Sequence, residues 1–257
     1  CGWGGGFLGH LFGQGRVLTS KDAVSAVGRR ENKMELCIVG AGHVGLVTGA
    51  CLAEIGHRAV CVDDDRQKVA GLLAGQMPFF EPHLETLVRQ NHARKRLLFT
   101  ESLEGGIEQA DIIFICVGTP SLSNGEADLS AVEQVARRIA ETVRTEKLVV
   151  EKSTVPVQTA RWVERTLAMY NGGGSKCEVA SNPEFLREGS ALKDARKLDR
   201  LVIGAFDRRS ARVLTEIYRG ARCPRLVTDL RHAELIKYAT NAFIATKVSF
   251  ANELATL

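Results

Sequence analysis

Short apolar runs that alternate with amphipathic stretches, a glycine-rich turn where the first run meets its helix, and a long C-terminal stretch free of Gly and Pro together predict an α/β fold. The predicted architecture is Rossmann-like: a doubly wound parallel sheet followed by the start of a long central helix. Residues 1–33 read as a disordered leader, 34–228 as the sheet domain, and 229–257 as the beginning of the central helix.

The leader holds 8 of the 25 glycines and shows no helical or strand periodicity. It also lacks the apolar middle and small-residue cleavage site of a signal peptide. Five Lys/Arg against Asp22 and Glu31 give it +3 of the formal +4 net charge, so the body is close to neutral. A near-neutral body with 6% aromatic residues offers neither the basic patch nor the stacking platform of a nucleic-acid binder, so no nucleic-acid partner is expected. No run approaches the ~18 apolar residues of a membrane span.

From Met34 the pattern alternates regularly. A strand is expected at Glu35 to Val39, a helix at Val44 to Ile55, a strand at Arg58 to Val62 and a helix at Asp65 to Ala74. Strands follow at Leu97 to Thr100 and Ile112 to Val117, a helix at Leu129 to Val143, a strand at Leu148 to Val150 and a helix at Val157 to Met169. The loop Asn171–Gly172–Gly173–Gly174–Ser175 interrupts the series, after which Cys177 to Ala180 and Leu201 to Ile203 read as strands. The last helix, Leu230 to Leu257, has Thr228 or Asp229 as its cap and no C-terminal stop signal, which reads as an element cut part-way.

The seven cysteines form no CxxC pair, and Cys37, Cys61 and Cys116 fall inside core strands. This reads as buried thiols in a reducing cytoplasm, with no zinc spacing and no metal site expected.

The first strand runs into Gly40–Ala41–Gly42–His43–Val44–Gly45. Gly40 permits a sharp turn, Gly42 permits close approach of a pyrophosphate, and Gly45 permits the helix to pack on the strand. The anion would rest on unpaired N–H groups at the helix N-terminus. Asp63 ends the second strand 23 residues after Gly40, near the roughly 20-residue offset at which a carboxylate takes the ribose hydroxyls. The Asp63–Asp64–Asp65 run is also placed to cap the next helix. A carboxylate there repels a 2′-phosphate, which favours NAD over NADP.

Polar clusters follow the later strands, where ligands collect in open α/β sheets. They are Val117–Gly118–Thr119–Pro120, Lys152–Ser153–Thr154–Val155–Pro156, and Ser181–Asn182–Pro183–Glu184–Phe185–Leu186–Arg187–Glu188–Gly189. With Glu81–Pro82 and Lys237–Tyr238–Ala239–Thr240–Asn241, this ordered set resembles the UDP-glucose/GDP-mannose dehydrogenase family from Met34 to Leu257.

The resemblance implies an NAD-dependent oxidation of UDP-glucose, or of a similar nucleotide sugar, in two steps. The chain would then be the NAD-binding part of a homo-oligomer assembled through the central helix. The implied cofactor residues are Gly40, Gly42, His43, Val44, Gly45, Asp63, Lys68, Val117, Gly118, Thr119, Ser153, Thr154 and Glu188. Substrate falls to Glu184, Phe185, Leu186, Glu188, Lys237 and Asn241, and catalysis to Thr154, Glu184, Lys237 and Asn241.

Each position also has a plainer reading. Thr119 is a turn hydroxyl before Pro120, Thr154 caps the helix at Pro156, and Glu184/Glu188 and Lys237/Asn241 are pairs four apart that would share an exposed helical face.

Two residues depart from the family's pattern: His43 stands where tyrosine is common, and Gln158 where a glycine often follows. The family also holds its aldehyde on a cysteine in a Gly–Gly–Ser–Cys context, and none of the seven cysteines has that context. The family places it beyond the long helix, so the chain is expected to stop short of it. A dehydrogenase of another nucleotide sugar, such as GDP-mannose or a UDP-N-acetylhexosamine, and a non-catalytic NAD-binding module are the alternatives.

Overall fold

The computed structural model describes residues 33–172 and 177–257, and the backbone of 16–18. The glycine loop expected at 171–175 therefore lies partly outside the described residues, as does most of the leader. Within the leader, Arg16–Leu18 is an edge strand, β1, so the expectation of no regular structure does not hold for those three residues. The reason is an open sheet edge: β1 pairs antiparallel with the strand at Arg225–Thr228, Arg16 opposite Val227 and Leu18 opposite Arg225.

The main sheet begins with β2 (Glu35–Val39), β3 (Arg58–Val62), β4 (Leu97–Thr100), β5 (Ile112–Ile115), β6 (Lys147–Glu151) and β7 (Cys177–Ser181). These six are parallel and lie in the order β4-β3-β2-β5-β6-β7. That is the 3-2-1-4-5-6 order of a dinucleotide-binding sheet, whose crevice opens where the winding reverses, between β2 and β5. Beyond β7 the direction changes. β8 (Leu201–Ala205) pairs antiparallel with β7 through Ala180–Ala205 and Ser181–Gly204, and β9 (Arg225–Thr228) continues parallel to β8.

Alternation along each strand feeds two cores, one on each face. Leu36 and Ile38 of β2 join the first, with α1 (His43–Glu54), α2 (Arg66–Leu73), α3 (Leu84–Ala93), α7 (Ala191–Arg196) and α8 (Arg208–Ile217). Cys37 and Val39 join the second, with α4 (Leu103–Gln109), α5 (Ser130–Thr142), α6 (Thr159–Tyr170) and Leu230 of α9 (Leu230–Ala255). Asp229 caps α9 by accepting the His232 N–H, one of the two caps expected. Residues 241–257 of α9 and its end are exposed throughout.

The sequence pattern does not announce α3, α4, α7, α8 or β9. In α4 the Gly105–Gly106 pair imitates a loop; the helix nonetheless starts because Ser102 accepts the Gly105 N–H at 3.0 Å. α7 is only six residues long and β9 only four, too short to carry a periodicity of their own.

Candidate active site

The turn after β2 is held from both sides. Gly40 has φ +100°, its N–H donates to Val62 O at 2.8 Å, and a Cβ on it would lie 2.5 Å from Cys116 O. At Gly45 a Cβ would lie 1.8 Å from Gly40 O, so any side chain there forces the turn open. A Cβ on Gly42, by contrast, would meet nothing within 4 Å, and no side chain caps α1. The first N–H groups of α1 thus have no side-chain cap and the space beside Gly42 is open, an arrangement suited to a pyrophosphate.

Asp63 is buried at the end of β3. Its Oδ2 accepts the Ala41 N–H at 2.8 Å and its Oδ1 the Asp65 N–H at 3.1 Å. Lys68 Nζ donates to both oxygens, at 2.8 and 2.9 Å. Within the same acidic run Asp65 caps α2 by accepting the Lys68 N–H, as expected of the run. A ribose hydroxyl reaching Asp63 therefore meets a carboxylate whose roughly four acceptor positions are taken, and shares or replaces Lys68.

On the far side of the crevice, Thr119 Oγ1 donates to Thr154 O at 2.7 Å, joining the loops after β5 and β6. Ser153 N–H donates to Glu151 Oε1 at 2.8 Å. Glu151 is fully buried with its other oxygen unpartnered, and burial pushes its carboxyl up to about 8. Lys152 Nζ donates to Asn182 O and Oδ1, at 3.2 and 3.1 Å, and Tyr218 O–H donates to Asn182 Oδ1 at 2.8 Å.

Lys237 of α9 reaches Glu184 in the loop after β7, Nζ to Oε1 at 2.9 Å, with both side chains about nine-tenths buried. Glu184 Oε2 also accepts the Leu186 N–H at 2.5 Å. Phe185 lies beside them, its ring under Arg200 at 4.0 Å and Lys237 at 5.5 Å. The expected shared helical face of Glu184 and Glu188 is not found. Residues 182–187 are irregular, with the Glu184 carboxylate turned back onto the Leu186 N–H, and Glu188 is exposed in a turn that passes through Gly189, φ +79°. Asn241 is exposed on α9, one turn beyond the buried Lys237, so the two do not share an exposed face.

Several connections in this region leave no mark in the sequence. Glu81 accepts Gly189 N–H at 3.0 Å and Leu192 N–H at 3.3 Å, which ties the segment before α3 to the Glu184 loop. Glu234 caps α6 from α9, accepting Gln158 N–H at 2.6 Å and Ala160 N–H at 2.7 Å. Gln158 itself has φ +83°, which is why a glycine suits that position. Among the described residues no His/Cys/Asp/Glu cluster could hold a metal ion.

Sequence comparison bears on the whole of this arrangement. Residues 34–222 match the NAD binding domain of the UDP-glucose/GDP-mannose dehydrogenase family, and residues 231–257 match its central domain. The chain belongs to this family. Its similarity to the UDP-glucose 6-dehydrogenase YwqF of Bacillus subtilis is 48% identity over 224 residues, 87% of this chain and 51% of that protein. A UDP-glucose dehydrogenase from the archaeon Pyrobaculum islandicum superposes with a TM-score of 0.85 at 45% identity, covering 90% of this chain and 54% of that one. A GDP-mannose dehydrogenase from Pseudomonas aeruginosa gives 0.83 at 38% identity, covering 86% and 52%. The chain spans about half the length of the relatives it matches. For a UDP-glucose/GDP-mannose dehydrogenase, an NAD-binding half with the β2–β5 crevice is the expected scaffold, and no helix among the described residues is long and apolar enough to cross a membrane.

Proposed function

We propose that this chain is the NAD-binding half of a UDP-glucose 6-dehydrogenase, which oxidises the C6 alcohol of UDP-glucose to the carboxylate of UDP-glucuronate. The observation that carries the reading is the Lys237–Glu184 pair, set at the ligand edge of the dinucleotide sheet. NAD, when bound, accepts the hydride in each of the two oxidations.

The chain's own residues supply the surroundings. The turn at Gly40, Gly42 and Gly45, with His43 and Val44, holds the pyrophosphate; Asp63 and Lys68 take the ribose hydroxyls. Val117, Gly118, Thr119, Ser153 and Glu188 line the nicotinamide side, and Thr154 holds a water there. Lys237 donates to the reacting hydroxyl oxygen, where a cationic donor stabilises a developing alkoxide, and Asn241 adds a second donor. Glu184 keeps Lys237 aimed and contacts the active-site water, while Phe185 and Leu186 flank the sugar.

None of the described cysteines stands in a Gly–Gly–Ser–Cys context. Burial pushes Cys37 and Cys116 up to about 12, Cys177 to about 11 and Cys61 further, so their thiolates are scarce at neutral pH. All six described cysteines are free, which supports a reducing cytoplasm as the working compartment. Assembly through α9 is part of the same proposal, because residues 241–257 present Phe243, Ile244 and Phe250 to solvent.

The test is turnover by the full-length protein with UDP-glucose, GDP-mannose and UDP-N-acetylglucosamine, following NADH and acid product. Two NADH per UDP-glucuronate, with UDP-glucose preferred, supports the assignment. Preference for GDP-mannose or an N-acetylhexosamine overturns the substrate, and absence of turnover with NAD bound favours a binding module.

A further inference from the structure

His43 is the first residue of α1, directly after Gly42, and its ring stacks on Phe79 with centroids 4.6 Å apart. Its Nε2 lies 3.5 Å from Glu81 Oε2, inside ion-pair range yet too long for a well-formed hydrogen bond, and the nitrogen is buried without a hydrogen-bond partner. The Glu81 side chain is 1% exposed and accepts two backbone N–H groups, from Gly189 and Leu192. A buried carboxylate so placed gains from a cationic partner, and a buried ring nitrogen pointed at it gains from donating. The charged groups around the turn are Glu81, from the segment before α3, and the Asp63–Lys68 pair at β3 and α2. α1 brings no acid in its first turn, and the 189–192 segment approaches Glu81 with backbone N–H groups.

We propose that the His43 side chain bridges a bound pyrophosphate and Glu81, so that filling the cofactor turn fastens the loop carrying Glu184 and Glu188. An imidazole has two ring nitrogens on opposite sides, so the ring can reach a neighbour with each of them. One then faces phosphate and the other Glu81. Glu81 passes the constraint to Gly189 and Leu192, which makes it a positioning residue. The inference rests on the reading of the turn as the NAD phosphate site.

The probe is ADP, which carries the pyrophosphate but no nicotinamide half, so any effect on the 184–192 loop must travel through the protein. Amide hydrogen exchange is followed in this chain, in His43→Phe, which keeps the ring on Phe79, and in Glu81→Gln. In the parent chain, ADP is expected to slow exchange at 41–46 and also, about tenfold, at Gly189 and Leu192, the size of one charge-assisted hydrogen bond gained. In His43→Phe, which should bind ADP more weakly, protection at 41–46 should return once ADP is raised to saturation while that at Gly189 and Leu192 should not. Equal protection of Gly189 and Leu192 in His43→Phe, or protection of 41–46 alone in the parent, overturns the bridge and leaves the phosphate site standing. No protection at 41–46 by saturating ADP overturns both. Should Glu81→Gln fail to fold, His43→Phe alone decides, because its ring is partly exposed and its packing is retained.

Discussion

Lys237 and Glu184, 53 residues apart in sequence, meet at 2.9 Å with both side chains about nine-tenths buried. Removing one partner strands the other charge. Lys237→Met should therefore destabilise the chain by about 3 kcal/mol, and adding Glu184→Gln should recover part of that loss. Urea denaturation of the two single variants and the double variant measures the coupling; strictly additive losses would show that the pair is not a unit.

Gln158 sits at φ +83° while its N–H serves Glu234, so the backbone geometry is required and the side chain is held there under steric strain. Gln158→Gly should raise stability by about 1 kcal/mol. A decrease measured by chemical denaturation would mean that the Gln158 side chain contributes more than its backbone strain costs.

Stability should bend with pH on account of two buried groups acting in opposite directions. Glu151 is pushed up to about 8, so the folded state holds its proton more tightly than the unfolded state does. Its contribution is full below the ordinary carboxyl range and is lost as pH rises through about 8. Glu151→Gln should thus gain on the parent steadily across that window, by a few kcal/mol at its upper end. His57 is held below the ordinary histidine range by burial, and accepts Met34 N–H while facing Ile217 O at 3.1 Å. Its contribution is present above the ordinary range and falls away as the medium is acidified. Thermal melts of the parent, Glu151→Gln and His57→Gln across pH test both limbs.

Asp63→Asn should weaken NAD binding by about tenfold, the scale of one hydrogen bond to a charged group, and narrow the margin over NADP. Lys68 loses its ion-pair partner in the same variant, and a freed lysine favours a 2′-phosphate. Isothermal titration with both dinucleotides reads the two effects, and an unchanged NAD to NADP ratio would contradict the assignment.

Gly45→Ala should abolish ADP binding, because its Cβ would lie 1.8 Å from Gly40 O and the turn must open to admit it. Gly42→Ala meets no protein atom within 4 Å, so it should leave the melting temperature nearly unchanged while weakening ADP. Loss of stability in Gly42→Ala would argue that the turn is built for packing alone.

The glycine turn and Asp63 are legible in sequence because local backbone geometry leaves its mark on residue type at fixed spacing. So are the six parallel strands, whose apolar runs carry their own periodicity. Buried charge leaves no such mark. Glu234 and His57 read like surface residues until the chain is folded, since their partners lie on other elements, and nothing in the sequence tells that Glu151 is fully buried. The Glu184–Glu188 spacing misleads for a related reason: it suggests a helical face where the chain is an irregular loop that runs into a turn through Gly189. At Gln158 the departure from glycine is visible, but its positive φ is not.

The change of direction between β7 and β8 carries a consequence for the order of assembly. Six parallel strands close a nucleotide crevice by themselves, whereas Lys237 arrives only after the chain has laid down β8 and β9 against that direction and α9 has doubled back along them. Bringing it to Glu184 closes a loop of 53 residues, an entropic cost greater than that of pairing β6 with β7 and less than that of pairing β2 with β5. That single contact therefore ties α9, the last element of the chain, to the loop that follows the parallel sheet.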